Sequence, residues 1–264
     1  MSDTLTLASD GPIARVTLNR PDRHNAFNAE LIAAIKATFD TLAQMPGIRA
    51  VVLTGKGRSF SAGADLDYMK AAGSWSRTEN EADGQRLSDM LAAIAACPCP
   101  VIAIAHGSIF GGGVGLVACA DIAVAVEGAK FRLSEVRLGL TPATISPFVI
   151  AAIGARQARR WFTTAEPFGA SEALAMGLVH AVAADMNAAA AQVDAWLAAI
   201  LEAAPGAVAD AKRLVTDFAG RPITAELRAD SARRIAARRA DPEAAEGLSA
   251  FLDKRMPNWM NTDA

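Results

Sequence analysis

The sequence has little sulfur and few groups that titrate near neutral pH. Its 264 residues include three histidines, three cysteines and one tyrosine, Tyr68. Cys97, Cys99 and Cys119 are an odd set in apolar surroundings. The Cys97-Pro98-Cys99 spacing suits neither a zinc site nor a thioredoxin-like motif. His24, His106 and His180 have no ligand spacing with one another or with the cysteines, so no metal site is expected. Buried, reduced thiols in a cytoplasmic protein fit this usage. The chain has no run of about 18 apolar residues free of charge, so no membrane span is expected. Met1-Ser2-Asp3-Thr4 lacks a basic region leading into an apolar core, so no signal peptide is expected. The net charge of −2 gives no electrostatic case for a nucleic-acid partner. Two nucleotide motifs are also missing. The glycines at 111–113 do not make G-x-G-x-x-G, because position 116 is leucine, and no G-x-x-x-x-G-K-[ST] occurs.

What the chain does have is apolar mass, 52% of its residues, enough for a substantial core. Its focus is residues 103–140. Val101 to Ala105 reads as a short buried strand, followed by a turn at His106-Gly107-Ser108. Gly111-Gly112-Gly113 then opens an apolar run to Cys119. Successive glycines permit sharp turns and close approach to the main chain. A helix starting there leaves its first N–H groups unpaired at a positive dipole end, suited to an anion or a developing oxyanion. A lone glycine triplet is equally a tight turn, so the surrounding chain must supply the context.

In order, residues 13–19 alternate as a strand, and Asn19 to Asn28 is turn-rich. Asn28 can cap a helix carrying Leu31, Ile35, Phe39 and Leu42 on one face, ended by Pro46-Gly47. Ile48 to Leu53 is a strand, residues 55–63 a loop, and residues 70–85 a polar, mobile stretch. Leu87, Met90, Leu91 and Ile94 mark another helix. Ile122 to Val126 and Lys130 to Leu133 are short strands, and a proline-containing loop spans 134–147. Helices follow near 148–153, 155–163 and 170–176, capped by Gly177, and then a strand at 178–182. Beyond residue 186 only helices remain: 187–203, 206–219, 222–239 and 242–255. The expected division is an α/β core over 1–195 and a helical region over 196–264. A helical tail with little core of its own points to oligomerisation. Arg228, Arg233, Arg234, Arg238 and Arg239 read as a solvated charged face.

Taken together, these residues resemble the crotonase (enoyl-CoA hydratase/isomerase) superfamily. The resemblance rests on Asn19-Arg20-Pro21, Asn25-Ala26-Phe27-Asn28 and Phe60-Ser61-Ala62-Gly63-Ala64-Asp65-Leu66. It continues through Gly107 to Gly113, Cys119-Ala120-Asp121, Phe131, Ser134-Glu135 and Gly139. Ala170 through Gly177-Leu178-Val179 and Phe251-Leu252-Asp253-Lys254-Arg255 complete it. The resemblance implies a spiral of ββα units and a C-terminal helical region that forms trimers or dimers of trimers. It implies an acyl-CoA thioester substrate and no cofactor beyond the substrate's own CoA. The backbone N–H groups of Ala64 and Gly112 take the oxyanion-hole positions. Ala62, Ala64, Asp65 and Leu66 belong to the CoA-binding loop, with Arg23 and Lys254 as candidate phosphate contacts. Gly111, Gly112 and Gly115 fall on the substrate side, and Tyr68 is a candidate for lining the acyl pocket.

Two-glutamate hydratases of the superfamily carry one glutamate where this chain has Gly115 and another at Glu135. Glu135 is therefore the expected acid/base. Three readings stay open. One-glutamate chemistry suits a Δ3-Δ2-enoyl-CoA isomerase. Decarboxylases, hydrolases and dehalogenases of the superfamily keep the oxyanion hole while changing acids and bases. Beside the three, a non-catalytic acyl-CoA-binding subunit is a reading of a different class. The third reading, weighed highest, follows finer likeness at Gly113 to Val117, Leu133 to Leu140 and Thr141 to Pro147. There the chain resembles bacterial hydratases of methylglutaconyl-CoA or carboxygeranoyl-CoA, in leucine and acyclic terpene breakdown. Such substrates carry a second carboxylate. Arg137 is the candidate cation for it, since residues two apart share a face if the segment is extended. His106 and Trp75 are lesser candidates for the site.

Overall fold

The computed structural model describes residues 3–260. The chain divides into two compact units, one ending at Asp194 and one beginning at Ala195.

The first unit opens with β1 (Leu5–Asp10) and β2 (Ile13–Leu18), an antiparallel pair. Sequence reading begins the fold at residue 13. The Ala8-Ser9-Asp10 end of β1 is exposed and lacks the apolar alternation that signals a strand. Then comes α1 (Ala29–Gln44), where the Leu31 N–H donates to Asn28 Oδ1 at 2.9 Å. Leu31, Ile35, Phe39 and Leu42 are all buried on its inner face, at the expected helical spacing. β3 (Ala50–Gly55) follows.

The stretch expected to be polar and mobile is in fact ordered helix. It forms α2 (Leu66–Ala72) and α3 (Arg77–Ala95). Ser76 and Glu79 close a reciprocal capping box at the start of α3, which satisfies two otherwise orphaned N–H groups. The first half of α3 is mostly exposed, so it shows no apolar period, and only Met90, Leu91 and Ile94 are buried. The Ser-x-x-Glu pattern was the legible signal.

β4 (Val101–Ala105), β5 (Ser108–Phe110) and α4 (Gly112–Cys119) come next. β6 (Ile122–Val126), β7 (Lys130–Arg132) and α5 (Ser146–Thr164) repeat the same β-β-α order. In each repeat the first strand joins a six-stranded sheet and the second joins a three-stranded one. This is the spiral of ββα units that the resemblance implies. α5 is interrupted at Gly154, whose φ of 75° separates the two expected helical segments. β8 (Phe168–Gly169), α6 (Ala170–Ala175) and β9 (Ala181–Ala183) follow. The large sheet has the order β1-β2-β3-β4-β6-β9, parallel except at β1, and the small one β5-β7-β8. Val101 to Ala105 is buried along its length, as a central parallel strand requires. Phe39, Phe60 and Phe131 are among the largest fully buried side chains.

α7 (Met186–Glu202) runs from the first unit into the second, which holds α8 (Pro205–Phe218), α9 (Ala225–Arg239) and α10 (Pro242–Leu252). Three arginines of the expected solvated face are engaged here, Arg233 with Asp230 at 3.2 Å. Arg234 pairs with Asp217 at 2.5 Å and Asp230 at 2.9 Å, and Arg238 with Asp210 and with Glu243 at 3.1 Å. The Gly206 and Ala207 N–H groups also donate to Glu243, so one carboxylate ties α8 to α10. Among the described residues, no helix is long and apolar enough to cross a membrane.

One buried ion pair fixes the loop between β3 and α2. Arg20 Nη2 lies 3.0 Å from Asp65 Oδ2, with only 16% and 7% of the two side chains exposed. Arg20 also donates to the Ala26 carbonyl. Burial alone would raise the Asp65 carboxyl. The Arg20 guanidinium and the Asp67 and Tyr68 N–H groups outweigh that and hold it below its ordinary value. Removing one partner strands the other charge in the interior, so Arg20→Ala should cost about 3–5 kcal/mol in a urea unfolding experiment. Because the folded-state value is depressed, the stability Asp65 contributes is fully present above about pH 4, the unfolded value. It is lost as the pH falls below that toward the folded value. An Arg20→Ala protein should lose this acid-limb dependence.

Candidate active site

The site is assembled where three chain segments meet at backbone distance. The Phe27 N–H donates to the Gly63 carbonyl at 2.6 Å, and the Asp65 N–H to the Phe27 carbonyl at 2.9 Å. On the other side the Ser61 N–H donates to Ser108, and the Phe110 N–H back to Ser61 at 3.0 Å. The 59–65 loop is thus stitched between 25–27 and β5. Asn25, fully buried with φ 54°, holds the assembly from behind. It accepts from the Arg20 N–H at 2.8 Å and donates to the Ser59 carbonyl at 2.8 Å and the Lys56 carbonyl at 3.0 Å.

Two glycines at the start of α4 are demanded by this proximity. A Cβ on Gly112 would lie 2.4 Å from Phe27 Cε2, and one on Gly113 would lie 2.4 Å from the Ser61 carbonyl oxygen. Neither position tolerates a side chain without moving the loop. The result is a cavity of about 290 Å3 in the first unit, lined by Ala62, Gly63, Ala64, Gly111, Gly112 and Glu135 together with a set of apolar side chains. Among the described residues, neither the Ala64 N–H nor the Gly112 N–H has a hydrogen-bond acceptor in the protein. The Gly112 group is unpaired because it opens a helix.

Glu135 begins a 3-10 turn, Glu135–Leu138, inside the proline-containing loop. Its carboxylate reaches back to α4, where Oε1 would sit 3.1 Å from a Cβ on Gly111. Oε2 is buried and has no hydrogen-bond partner. Desolvation raises the Glu135 pKa above the ordinary carboxylate value. An unpaired, half-buried carboxyl of this kind is suited to exchanging a proton with something that enters the cavity.

Several expected site residues are placed elsewhere. Gly115 does not line the cavity. It is buried, and a Cβ on it would lie 2.6 Å from Ile145 Cγ2. Ile145 takes the lining position instead. Arg137 is exposed and outside the cavity, because the 3-10 turn rotates residues two apart onto different sides where an extended chain would align them. Tyr68 is turned toward α3, donating to Asp83 and packing edge-on against Trp75 at 5.4 Å, and burial raises its pKa to about 12. Neither Tyr68 nor Trp75 lines the cavity. Their helical neighbours Leu66 and Met69 do. Asp65 caps α2 and is spent on Arg20, not aimed at a ligand. Arg23 forms an exposed pair with Asp67 at 3.3 Å. Lys254 lies in the second unit, exposed, with φ 53°. His106 is buried, with Nε2 3.2 Å from the Gly57 carbonyl and Nδ1 unpartnered, and is not a lining residue.

Sequence reasoning missed Ile145, whose role depends on a contact across the fold. It also missed the structural weight of Arg20 and Asn25, although both stand in motifs it had singled out. Phe27 was singled out in the same way, and the contact with Gly112 explains it.

Comparisons with known proteins agree with this geometry. Residues 9–262 match the enoyl-CoA hydratase/isomerase family. An enoyl-CoA hydratase structure from Shewanella pealeana is 36% identical and superposes with a TM-score of 0.94, covering 97% of this chain and 96% of that one. The structure titled Pseudomonas aeruginosa AtuE is 34% identical with a TM-score of 0.94, covering 98% of this chain and 100% of that one. An enoyl-CoA hydratase of Alternaria alternata is 40% identical over 174 residues, which is 66% of this chain and 56% of that protein. A spiral of ββα units, a glycine-opened helix at the cavity and a match over nearly the whole chain lead to one assignment: the protein belongs to the enoyl-CoA hydratase/isomerase family and is an acyl-CoA enzyme of that type.

Proposed function

We propose that this enzyme adds water across the double bond of a 2-enoyl-CoA, with Ala64 and Gly112 as its oxyanion hole and Glu135 as its acid/base. One observation carries the reading. A desolvated carboxylate and two unpaired backbone N–H groups belong to the same cavity. The thioester oxygen would accept from both N–H groups. Ionised Glu135 would take a proton from water as the water oxygen bonds to the β-carbon. The electrons of the double bond move toward the carbonyl and give an enolate held by the two donors. Protonated Glu135 then returns a proton to the α-carbon, and the carbonyl reforms. Donors held in place before reaction lower such a barrier most effectively, by roughly 100- to 1,000-fold per donor.

A second reading is favoured by a specific observation, the single carboxylate. Shuttling a proton from the α-carbon of a 3-enoyl-CoA to its γ-carbon needs only one base, and Ile145 stands where a second would be sought. The methylglutaconyl-CoA form of the hydratase reading draws on sequence likeness alone. It asks for a cation near the far carboxylate, and Arg137 is not in the cavity. The CoA contacts of Ala62, Leu66, Arg23 and Lys254 are part of the same proposal. So is self-association into trimers or dimers of trimers. Supporting it, Val215, Ile223, Leu248, Phe251 and Leu252 of the second unit are 63–80% exposed in the single chain. Sedimentation of the native protein should show a trimer or hexamer and no monomer.

Glu135→Gln should lower turnover by about 100- to 10,000-fold while leaving CoA-ester binding intact. Because Glu135 must be ionised to accept the first proton and burial raises its pKa, the acid limb of kcat/KM should lie above the ordinary glutamate range of about 4.3. Mass spectrometry of products formed in heavy water separates the two reactions. Gain of one water marks a hydratase. Deuterium uptake with a shifted double bond and unchanged composition marks an isomerase.

A further inference from the structure

We infer that Ile145 determines the acyl specificity of this site: it puts an apolar wall where a second acid would project from position 115, so the site takes an uncharged, apolar acyl chain. The inference rests on the acyl-CoA reading above and goes beyond it to the substrate class.

The contact between Ile145 and Gly115 is a size-coupled one. A Cβ at 115 would lie 2.6 Å from Ile145 Cγ2, 3.1 Å from Ile145 Cβ and 3.5 Å from Leu91 Cδ2. Any side chain at 115, a carboxylate above all, requires Ile145 to leave. Ile145 cannot easily do so. It is β-branched and stiff at χ1. Its backbone is pinned at the start of α5, where its carbonyl accepts from the Val149 N–H at 3.0 Å. It is also 3% exposed, so outside the cavity it is enclosed by protein.

The rest of the wall has the same character. Met69, Leu87, Leu138 and Leu140 also line the cavity, and among the described residues Glu135 is the only ionisable side chain in the lining. No described lysine, arginine or histidine lines the cavity. An acyl chain ending in a carboxylate would lose its water there without a counter-ion, and it would share the cavity with another carboxylate. Burial of an unpaired charge is strongly unfavourable. A chain ending in a methyl group meets mostly apolar surface, the other polar side chains of the lining being the hydroxyls of Ser134, Thr141 and Thr144. One methylene more or less in such a pocket changes affinity by roughly 10- to 200-fold, so trimming Ile145 is measurable.

The test uses valeryl-CoA and glutaryl-CoA, which differ only in a methyl or a carboxylate at the chain end and have no double bond to react. Calorimetry on the full-length protein would compare them with CoA itself. Wild type should bind valeryl-CoA at least about tenfold more tightly than glutaryl-CoA. Ile145→Ala should lose about tenfold for valeryl-CoA with CoA binding unchanged, and Ile145→Val should lose less. Equal or tighter binding of glutaryl-CoA overturns the inference. So does an Ile145→Ala protein whose affinities for CoA and valeryl-CoA change by the same factor. If wild type binds neither CoA nor either ester, the acyl-CoA reading itself has failed, and the two failures are thereby distinct. Should Ile145→Ala not fold, the wild-type pair and Ile145→Val still decide. The coupling has its own readout. Gly115→Ala should lower the urea midpoint, and adding Ile145→Ala should recover part of the loss. Additive losses in the double variant would refute the coupling.

Discussion

The architecture of this enzyme depends on close packing against the bare backbone at the start of α4. Phe27 packs on Gly112 and the Ser61 carbonyl packs on Gly113, at distances where a Cβ would sit 2.4 Å from each. That contact brings the 59–65 loop, the 25–27 segment and the helix start into one wall of the cavity. Ala64 and Gly112 both line that cavity, and among the described residues neither N–H has an acceptor in the protein. The donors are therefore by-products of packing and need no side chain of their own. A site made from main-chain groups of a buried junction is rigid, which electrostatic stabilisation requires.

Around that junction the charges are sorted by whether they have partners. The Arg20–Asp65 pair is buried and satisfied, and it holds the loop. Asn25 is buried and makes three hydrogen bonds across the turn. Glu135 is the exception, since Oε2 is buried with nothing to accept from. An unsatisfied polar atom costs free energy, and natural folds tolerate it where it serves chemistry. The contrast between a paired carboxylate at 65 and an unpaired one at 135 sets a structural acid apart from the one proposed to react.

Much of the fold was legible because its signals are local. The α1 face, its Asn28 cap and the buried run of β4 follow from spacing alone. The second half of α3 was read from Leu87, Met90, Leu91 and Ile94, but its first half was missed, because solvent exposure erased the apolar period there and left the Ser76–Glu79 cap as the one visible mark. The reading also missed β1, an edge strand with a mostly exposed end. At the site, Glu135, Ala64 and Gly112 do share a cavity. Arg137 and Tyr68 do not, because the 3-10 turn after Ser134 and the rotation of α2 set their directions, and neither is written in residue spacing.

By itself the sequence determined which residues could bend, cap and carry charge, and so where a glycine-opened helix and a lone carboxylate had to stand. Its ordered motifs were enough to mark the family. Only the tertiary structure decided what faces what. Gly115 read as a missing acid, yet in the fold it is a position closed by Ile145, thirty residues further along the chain. Steric exclusion between residues distant in sequence leaves no local pattern.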